Sequence, residues 1–160
     1  MTRQAEYAAV VPAPVGLLGV CMSAGQLVGI DFAPPGATAG GAPDGATREV
    51  LDQLFHYFED PAWSFDLPVR MDGTAFQCRV WQALGRIPSG STRSYGELAR
   101  ELGSSARAVG GACRRNPIPI VVPCHRVIAA GGGAGGFMGQ RGGDALAIKT
   151  WLLEHERRGR

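Results

Sequence analysis

Hydrophobic residues along the chain follow two different periods, and the change between them divides the 160 residues into two parts. In the first part, residues 15–22 and 26–32 alternate like two strands joined by a Ser-Ala-Gly turn. After a loop rich in Gly, Pro and Ala, apolar residues from Thr47 take helical spacing until Pro61. This pattern predicts a small α/β domain over residues 1–71.

Helical spacing dominates the second part, residues 72–160, where a first helix is expected around Trp81. Ser94 and Glu97 then form a capping box that opens a short helix, Gly103 turns the chain, and a serine caps a further helix. Two short helices joined by a tight turn predict a helix-turn-helix. The expected fold class is therefore α/β, with a small N-terminal α/β domain followed by a mostly helical C-terminal domain that holds the helix-turn-helix and a candidate active-site cysteine.

Two adjacent glycines, Gly110 and Gly111, lie inside the second helix of this motif, where each costs about 1 kcal/mol relative to Ala. Tight packing against a neighbouring helix is one explanation. The other is a smooth surface that comes close to a nucleic-acid backbone, with flanking arginines that neutralise phosphates. The residues assigned to this candidate DNA-binding surface are Arg107, Ala108, Gly111, Ala112, Arg114 and Arg115.

Charge is distributed unevenly, although the formal net charge is only +2. Residues 1–78 hold three Arg against nine acidic residues, which gives −6, whereas residues 79–126 hold eight Arg against two Glu, which gives +6. A basic middle segment suggests that one surface meets a polyanion. From charge alone, a solvated arginine-rich face is an equally good interpretation.

The four cysteines include neither a Cys-x-x-Cys pair nor a nearby Cys/His cluster, so the sequence predicts no metal site and no cofactor. A chain of this length with 45% hydrophobic residues does not need disulfides to fold, which favours free thiols in a reducing compartment. No apolar run approaches the ~18 residues needed to cross a bilayer, and the N-terminus lacks the pattern of a signal peptide. We therefore expect a cytoplasmic protein with no membrane partner.

The run Pro-Cys-His-Arg-Val at 123–127 contains the candidate nucleophile, Cys124. Prolines bracket an apolar stretch before it, which predicts a strand that delivers the cysteine at its end. A thiol reacts as the thiolate, so a base or a cation must lower its pKa, and His125 and Arg126 are the neighbouring candidates. Because adjacent strand residues point to opposite faces, His125 would have to act across a turn or through a bridging water. A buried, inert cysteine is the alternative interpretation.

Residues 144–157 predict a final helix whose apolar positions form one stripe. Glu156 lies within this stripe, one turn beyond Leu152, and a carboxylate on a buried face needs a partner. His125 is the expected partner, in the way that the third member of a catalytic triad orients its histidine. Lys149, the only lysine in the chain, borders the same stripe and is a candidate for a specific role.

Three motifs together resemble the O6-alkylguanine-DNA alkyltransferase family: Arg-Ala-Val-Gly-Gly-Ala-x-x-x-Asn-Pro at 107–117, Pro-Cys-His-Arg-Val at 123–127 and Trp-Leu-Leu-Glu-His-Glu at 151–156. Residues 76–81 and 94–99 fit the same pattern, so the resemblance covers residues 72–156 in order. It implies a direct-reversal DNA repair protein that moves an alkyl group from O6 of guanine to Cys124 in a single turnover, with O4 of thymine as a second candidate site. The implied partner is double-stranded DNA that contains the lesion, bound by a monomer, with cooperative binding left open.

The resemblance also implies the chemistry of the site. Cys124 would attack the alkyl carbon in an in-line displacement, and His125, held by Glu156, would take the thiol proton through water. Tyr95 and Lys149 would assist the departure of guanine by neutralising its developing charge. No route returns the thioether product to a thiol, so each molecule would act once.

For DNA binding, the resemblance implies that Arg107 fills the gap left when the damaged nucleotide is flipped out and that Tyr95 helps to rotate the phosphate. Asn116 would brace the turn between the recognition helix and the active-site segment. The implied walls of the substrate pocket are Pro119, Val127, Phe137, Met138 and Gly139. The family usually has Tyr-Ser-Gly-Gly where this chain has Phe-Met-Gly-Gln at 137–140, and about five residues are inserted before the last helix. Both differences affect the range of alkyl groups that is expected.

Two other functions remain alternatives. A non-catalytic protein that binds the lesion would explain the altered loop at 137–140, but such relatives lack the nucleophilic cysteine that this chain has at Cys124. A cysteine hydrolase would need an oxyanion hole as well as a base, and the sequence gives no separate indication of an acyl substrate.

Overall fold

This computed structural model describes residues 7–130 and 143–159. Contacts between its residues divide the chain into two compact units, Met1–Met71 and Asp72–Arg160, and the division falls where the sequence pattern changes. None of the helices in the described ranges has the length and apolar character that crossing a bilayer requires.

A three-stranded antiparallel sheet forms the first unit together with one helix. Its strands are β1 (Ala9–Ala13), β2 (Gly16–Ser23) and β3 (Gln26–Phe32), in that order across the sheet. The two predicted strands are confirmed to within one residue as β2 and β3. The sequence pattern did not predict β1, because Pro12 cannot donate to a strand ladder; the position is tolerated here since β1 pairs with β2 alone.

The helix of the first unit, α1 (Gly45–Glu59), begins two residues before the predicted start at Thr47. Asp44 caps it, because the Asp44 side chain accepts a hydrogen bond from the Thr47 backbone N–H at 2.8 Å. Its apolar stripe is buried through Val50, Leu54 and Tyr57, each at most 1% exposed. The predicted amphipathic helix is therefore confirmed.

The second unit is mostly helical, as predicted. Its elements are α2 (Ala75–Gly85), β4 (Arg93–Ser94), α3 (Tyr95–Leu102), α4 (Ala106–Arg114), β5 (Val127–Ile128) and α5 (Gly143–Arg158). The two short strands β4 and β5 pair in parallel. This pairing fixes the start of α3 beside the segment that follows Cys124.

The helix-turn-helix consists of α3 and α4, and its local signals act as predicted. The side chains of Ser94 and Glu97 each accept a hydrogen bond from the other residue's backbone N–H, which closes the capping box. Gly103 ends α3 in the left-handed conformation at φ 64°, and the Ser105 hydroxyl caps α4. The buried Trp81 indole donates to the Ala112 carbonyl at 2.9 Å and ties α2 to α4.

The connection from α4 to Cys124 differs from its prediction. An extended strand was expected here, but the chain forms tight turns instead and continues into a single 3₁₀ turn, Cys124–Arg126. The prolines at 117, 119 and 123 explain the error, because each fixes its own φ, restricts the residue before it and removes a backbone donor. Within this connection the buried Ile120, 1% exposed, takes a left-handed φ of 75°, which is unusual for a β-branched residue.

Candidate active site and the adjoining helix

Cys124 begins the 3₁₀ turn and is only 4% exposed. Burial raises the pKa of its thiol to about 11, against the opposing effects of a hydrogen bond with the Asn116 side chain and the charge of Lys149. Burial outweighs these lowering effects, so the expectation of a net lowered pKa for Cys124 in the resting protein is wrong. At neutral pH the residue is a thiol, and its proton has to leave during the reaction.

His125 follows in the same turn and is completely buried, with Nε2 2.7 Å from Oε2 of Glu156. The structure thus brings together His125 and Glu156, the pair that was expected because Glu156 lies on the buried stripe of the last helix. Burial lowers the pKa of His125; the hydrogen bond and charge of Glu156 raise it, and Arg126 and Lys149 lower it further. The result is a neutral imidazole at physiological pH.

Glu156, 2% exposed on α5, has a second partner that the sequence analysis did not assign to it. Arg126 Nε donates to Glu156 Oε1 at 2.8 Å, and Arg126 Nη2 donates to Oε2 at 2.9 Å. Burial alone would raise the pKa of Glu156, but hydrogen bonds from His125 and Arg126, together with the positive charge of Arg126, hold it well below its ordinary value. The signal was available, because a neutral histidine cannot compensate a buried carboxylate and an arginine stands next to it in the sequence.

These contacts determine which nitrogen of His125 carries the proton. An ionised carboxylate only accepts hydrogen bonds, so the Nε2 that faces Glu156 must be the protonated nitrogen. The other nitrogen, Nδ1, is buried and has no hydrogen-bond partner among residues 7–130 and 143–159. Its lone pair is therefore available to accept a proton.

Lys149 and Tyr95 lie together in the same region. Lys149 is fully buried on α5, its Nζ donates to the Val127 carbonyl at 2.7 Å, and it lies 5.7 Å from the centre of the Tyr95 ring. Burial, followed by the neighbouring thiols of Cys113 and Cys124, raises the pKa of Tyr95 to about 12, so its hydroxyl stays protonated. Two proton donors are thus held in the vicinity of the thiol.

Cys113 is a member of this group to which the sequence analysis assigned no role in the site. It is 8% exposed on α4, and burial, with the neighbouring Cys124, raises its pKa to about 12. The structure therefore places a second buried thiol near the candidate nucleophile. No feature of the sequence distinguished it from an ordinary core cysteine.

Asn116 bridges the two ends of the connection that leads to Cys124. Its Nδ2 donates to the Val122 carbonyl at 2.8 Å, and its Oδ1 accepts from the Ile118 backbone N–H at 3.0 Å. Its own N–H donates to the Cys113 carbonyl at 3.2 Å. These contacts join the end of α4 to the active-site turn, where the bracing role was expected.

The predicted pocket residues fall into two groups. Pro119 and Val127 are both buried, and Val127 directly follows the active-site turn. Phe137, Met138 and Gly139 lie outside the described residues, as does the insertion before α5.

The exposed side of α4 carries most of the predicted DNA-binding surface. Arg107, Arg114 and Arg115 are exposed, and Ala108 and Gly111 are half-buried. Ala112 departs from the prediction: it is only 3% exposed, because its position on α4 faces the core beside α2 rather than the exposed side.

The two glycines of α4 are not explained by packing inside the protein. A Cβ added at Gly111 would meet no described atom within 4 Å, and one at Gly110 would only touch the Tyr95 ring at 3.9 Å. Of the two explanations, tight packing against a neighbouring helix is therefore not required among the described residues. Close approach to an external partner remains.

Comparison with known proteins agrees with this arrangement. The family model for the DNA-binding domain of 6-O-methylguanine DNA methyltransferase matches residues 75–158. The chain belongs to this family. The resemblance drawn from its motifs is thereby confirmed.

Relatives in the 6-O-methylguanine DNA methyltransferase family extend the match. A methylated-DNA--protein-cysteine methyltransferase of Mycobacterium leprae is 49% identical over 116 residues, which cover 71% of this chain and 67% of the relative. A relative of the same name from Methanosarcina acetivorans is 48% identical over 111 residues, which cover 68% of each chain.

Solved structures of this family share the fold. The Mycobacterium tuberculosis OGT in complex with DNA has a TM-score of 0.80 at 38% identity and covers 94% of this chain and 92% of its own. An O6-methylguanine DNA methyltransferase from Methanococcus jannaschii has a TM-score of 0.67 at 26% identity, with 92% of each chain covered. The predicted α/β fold class is confirmed.

Proposed function

We propose that this chain repairs alkylated DNA directly by transferring the alkyl group from O6 of guanine to Sγ of Cys124. One observation carries the assignment of the residue: Cys124 is buried at the start of a turn whose next residue, His125, has a free lone pair on Nδ1 and a carboxylate on Nε2. The family and the names of the relatives support alkyl transfer to a cysteine as the reaction.

The first step is proton removal from the thiol. Because the pKa of Cys124 is raised to about 11, the thiolate is rare at neutral pH, and His125 Nδ1 takes the S–H proton through a bridging water as the substrate reacts. The S–C bond forms while the C–O6 bond breaks, and the bonding electron pair stays on O6 of guanine. The products are a thioether at Cys124 and a guanine that requires one proton.

When the C–O6 bond breaks, the departing guanine gains negative charge, and its departure depends on neutralising this charge. Tyr95 keeps its hydroxyl proton and Lys149 is a buried cation, so both suit a role beside the leaving base. The proton that guanine gains balances the one that His125 took from the thiol. No further reactant is required, and no step restores the thiol, so the protein acts once per molecule.

The DNA-binding mode follows from the exposed side of α4. We propose that α4 enters the minor groove with Ala108 and Gly111 against the backbone, since a side chain at Gly111 is excluded by nothing in the described part of the protein. Arg107 fills the space left by the flipped nucleotide and Tyr95 assists phosphate rotation, while Arg114 and Arg115 neutralise phosphates.

The remaining proposals concern the setting of the reaction. We place residues 1–71 as a structural domain and residues 72–160 as the DNA-binding and alkyl-transfer domain. We place the protein in the cytoplasm as a monomer. The cytoplasm fits the four free cysteines, because a reducing compartment keeps the nucleophile as a thiol. Phe137, Met138 and Gly139 stay the proposed pocket residues, and Met138 has a thioether where the family usually has a serine hydroxyl.

Mass spectrometry of the modified protein tests the proposal. After incubation with duplex DNA that contains O6-methylguanine, the peptide with Cys124 should gain one methyl group in proportion to the lesion consumed. Cys113 is the matched control, because it is also buried, lies near Cys124 and should stay unmodified. Tight, reversible lesion binding with an unmodified Cys124 would instead identify a non-catalytic lesion-binding protein.

A further inference from the structure

We propose that Arg126 is a positioning residue that keeps His125 in its neutral, proton-accepting form. The inference deepens the proposed alkyl transfer and rests on it, because a proton acceptor matters only if Cys124 has to lose a proton. Arg126 touches neither the thiol nor the substrate in this scheme. It acts through Glu156.

The geometry shows how the carboxylate of Glu156 is shared. Arg126 contacts both carboxylate oxygens, and His125 Nε2 contacts Oε2, which also accepts from Arg126 Nη2. The third arm of the guanidinium, Nη1, donates to the carbonyl of Ile87, just beyond α2, at 2.6 Å. The Arg126 guanidinium is therefore held at two points, the Glu156 carboxylate on α5 and the Ile87 carbonyl, and Arg126 is 9% exposed.

The charge balance follows from these contacts. With Arg126 present, Glu156 already has a full positive partner, so His125 has no need to be charged in the resting protein. Without that partner, a buried carboxylate beside an imidazole is best stabilised as an ion pair, which requires a proton on His125. A histidine that already carries the second proton cannot accept one from Cys124.

Two other charged groups, Glu156 and Lys149, affect the pKa of His125. Lys149 lowers it, as Arg126 and burial do, and Glu156 raises it. Glu156 and Lys149 face His125 from α5, and Arg126 comes from its own turn. Arg126 is the one of these cations that directly contacts Glu156 in the described hydrogen bonds, so removing it both cancels a lowering effect and frees the raising effect.

The experiment compares Arg126→Gln with Arg126→Lys and the wild type in single-turnover methyl transfer at saturating protein, between about pH 6 and pH 9. Arg126→Gln should be slower by about tenfold or more near pH 6, and the deficit should shrink to about threefold or less near pH 9, where His125 becomes neutral in both proteins. Arg126→Lys retains the charge and should keep a nearly constant ratio to the wild type. Arg93→Gln, which breaks an exposed ion pair with Glu101, is the control and should match the wild type at every pH.

A rate deficit of Arg126→Gln that stays constant across this pH range would overturn the inference, because a purely structural role lowers the rate equally at all pH values. If that variant does not fold, nitrogen NMR of the wild-type His125 ring decides: protonation of Nε2 alone at pH 7 is expected, and a doubly protonated ring would overturn the inference. Failure of the proposed function has a different signature, since the wild type itself would then transfer no methyl group.

Discussion

The two units of this protein bury different kinds of side chain. Among the described residues of the first unit, the buried polar residues are Thr47 and Gln53, which carry no charge, and the other buried side chains are hydrophobic. Among the described residues of the second unit, four acidic or basic side chains are buried beside the thiols of Cys113 and Cys124, and we call these four the buried charge cluster: His125, Arg126, Lys149 and Glu156. Burying a charge is costly, and a protein retains it only where pairing or function requires it. Among the described residues, the buried acidic and basic side chains therefore lie in the unit that contains Cys124.

The largest expected effect comes from removing the centre of the buried charge cluster. Glu156→Ala leaves Arg126 buried without its carboxylate, which should cost about 3–5 kcal/mol in the free energy of unfolding, and should slow methyl transfer by at least about 10²-fold because His125 loses its orienting partner. Chemical denaturation and single-turnover kinetics measure the two effects.

Leu54→Ala in the first unit is the matched control for this change. Leu54 is 1% exposed, and its truncation should cost about 2–5 kcal/mol, a loss of stability similar to that of Glu156→Ala. The rate of methyl transfer by the folded variant should stay within about threefold of the wild type. A Leu54 variant that lost as much activity as the Glu156 variant would remove the functional distinction between the two units.

Acid should weaken the second unit before the first. The folded pKa of His125 is lowered, so its contribution to stability is present above its ordinary value near 6.5 and is lost as the pH falls below that value. The folded pKa of Glu156 is also lowered, so its contribution is present above its ordinary value of 4.5 and disappears as the pH falls further. Stability should therefore fall in two stages between about pH 7 and pH 3.

Hydrogen exchange at several pH values can locate this loss. Amides of α5 and of the 3₁₀ turn at Cys124 should lose protection on acidification sooner than those of α1, whose buried side chains do not titrate in this range. Equal loss of protection in both units would show that the buried charge cluster does not set the acid sensitivity of the protein.

Sequence reasoning predicted the helices of both units. It was wrong at the segment between α4 and Cys124, where a strand was expected and turns form. Amphipathic spacing and capping residues are local signals, which is why α1, α3 and α4 were found almost to the residue. Helical phase also placed Glu156 beside His125 across a separation of 31 residues. The site itself was identified by its motifs rather than by these signals.

What the sequence could not show depends on three-dimensional context. The sequence indicated that Glu156 needs a cation, but it did not show that the Arg126 guanidinium contacts both carboxylate oxygens and also the Ile87 carbonyl, because the path of the 3₁₀ turn decides these contacts. The raised pKa of Cys124 depends on how deeply the thiol is buried, which a single sequence does not reveal. The left-handed turn at Ile120 runs against the preference of a β-branched residue, so propensity argued against the structure that forms.

The smallest expected effect is a difference in stability between substitutions at two nearby positions of this segment, Ile118 and Ile120. Ile118 and Ile120 are both at most 1% exposed, but only Ile120 has a positive φ. Replacing either by Gly removes a similar buried side chain, whereas Gly at 120 also relieves about 1–2 kcal/mol of backbone strain. Ile120→Gly should therefore destabilise the protein less than Ile118→Gly by about that amount, as measured by chemical denaturation. Equal losses would mean that the turn at Ile120 stores no strain and that burial alone holds the segment before Cys124.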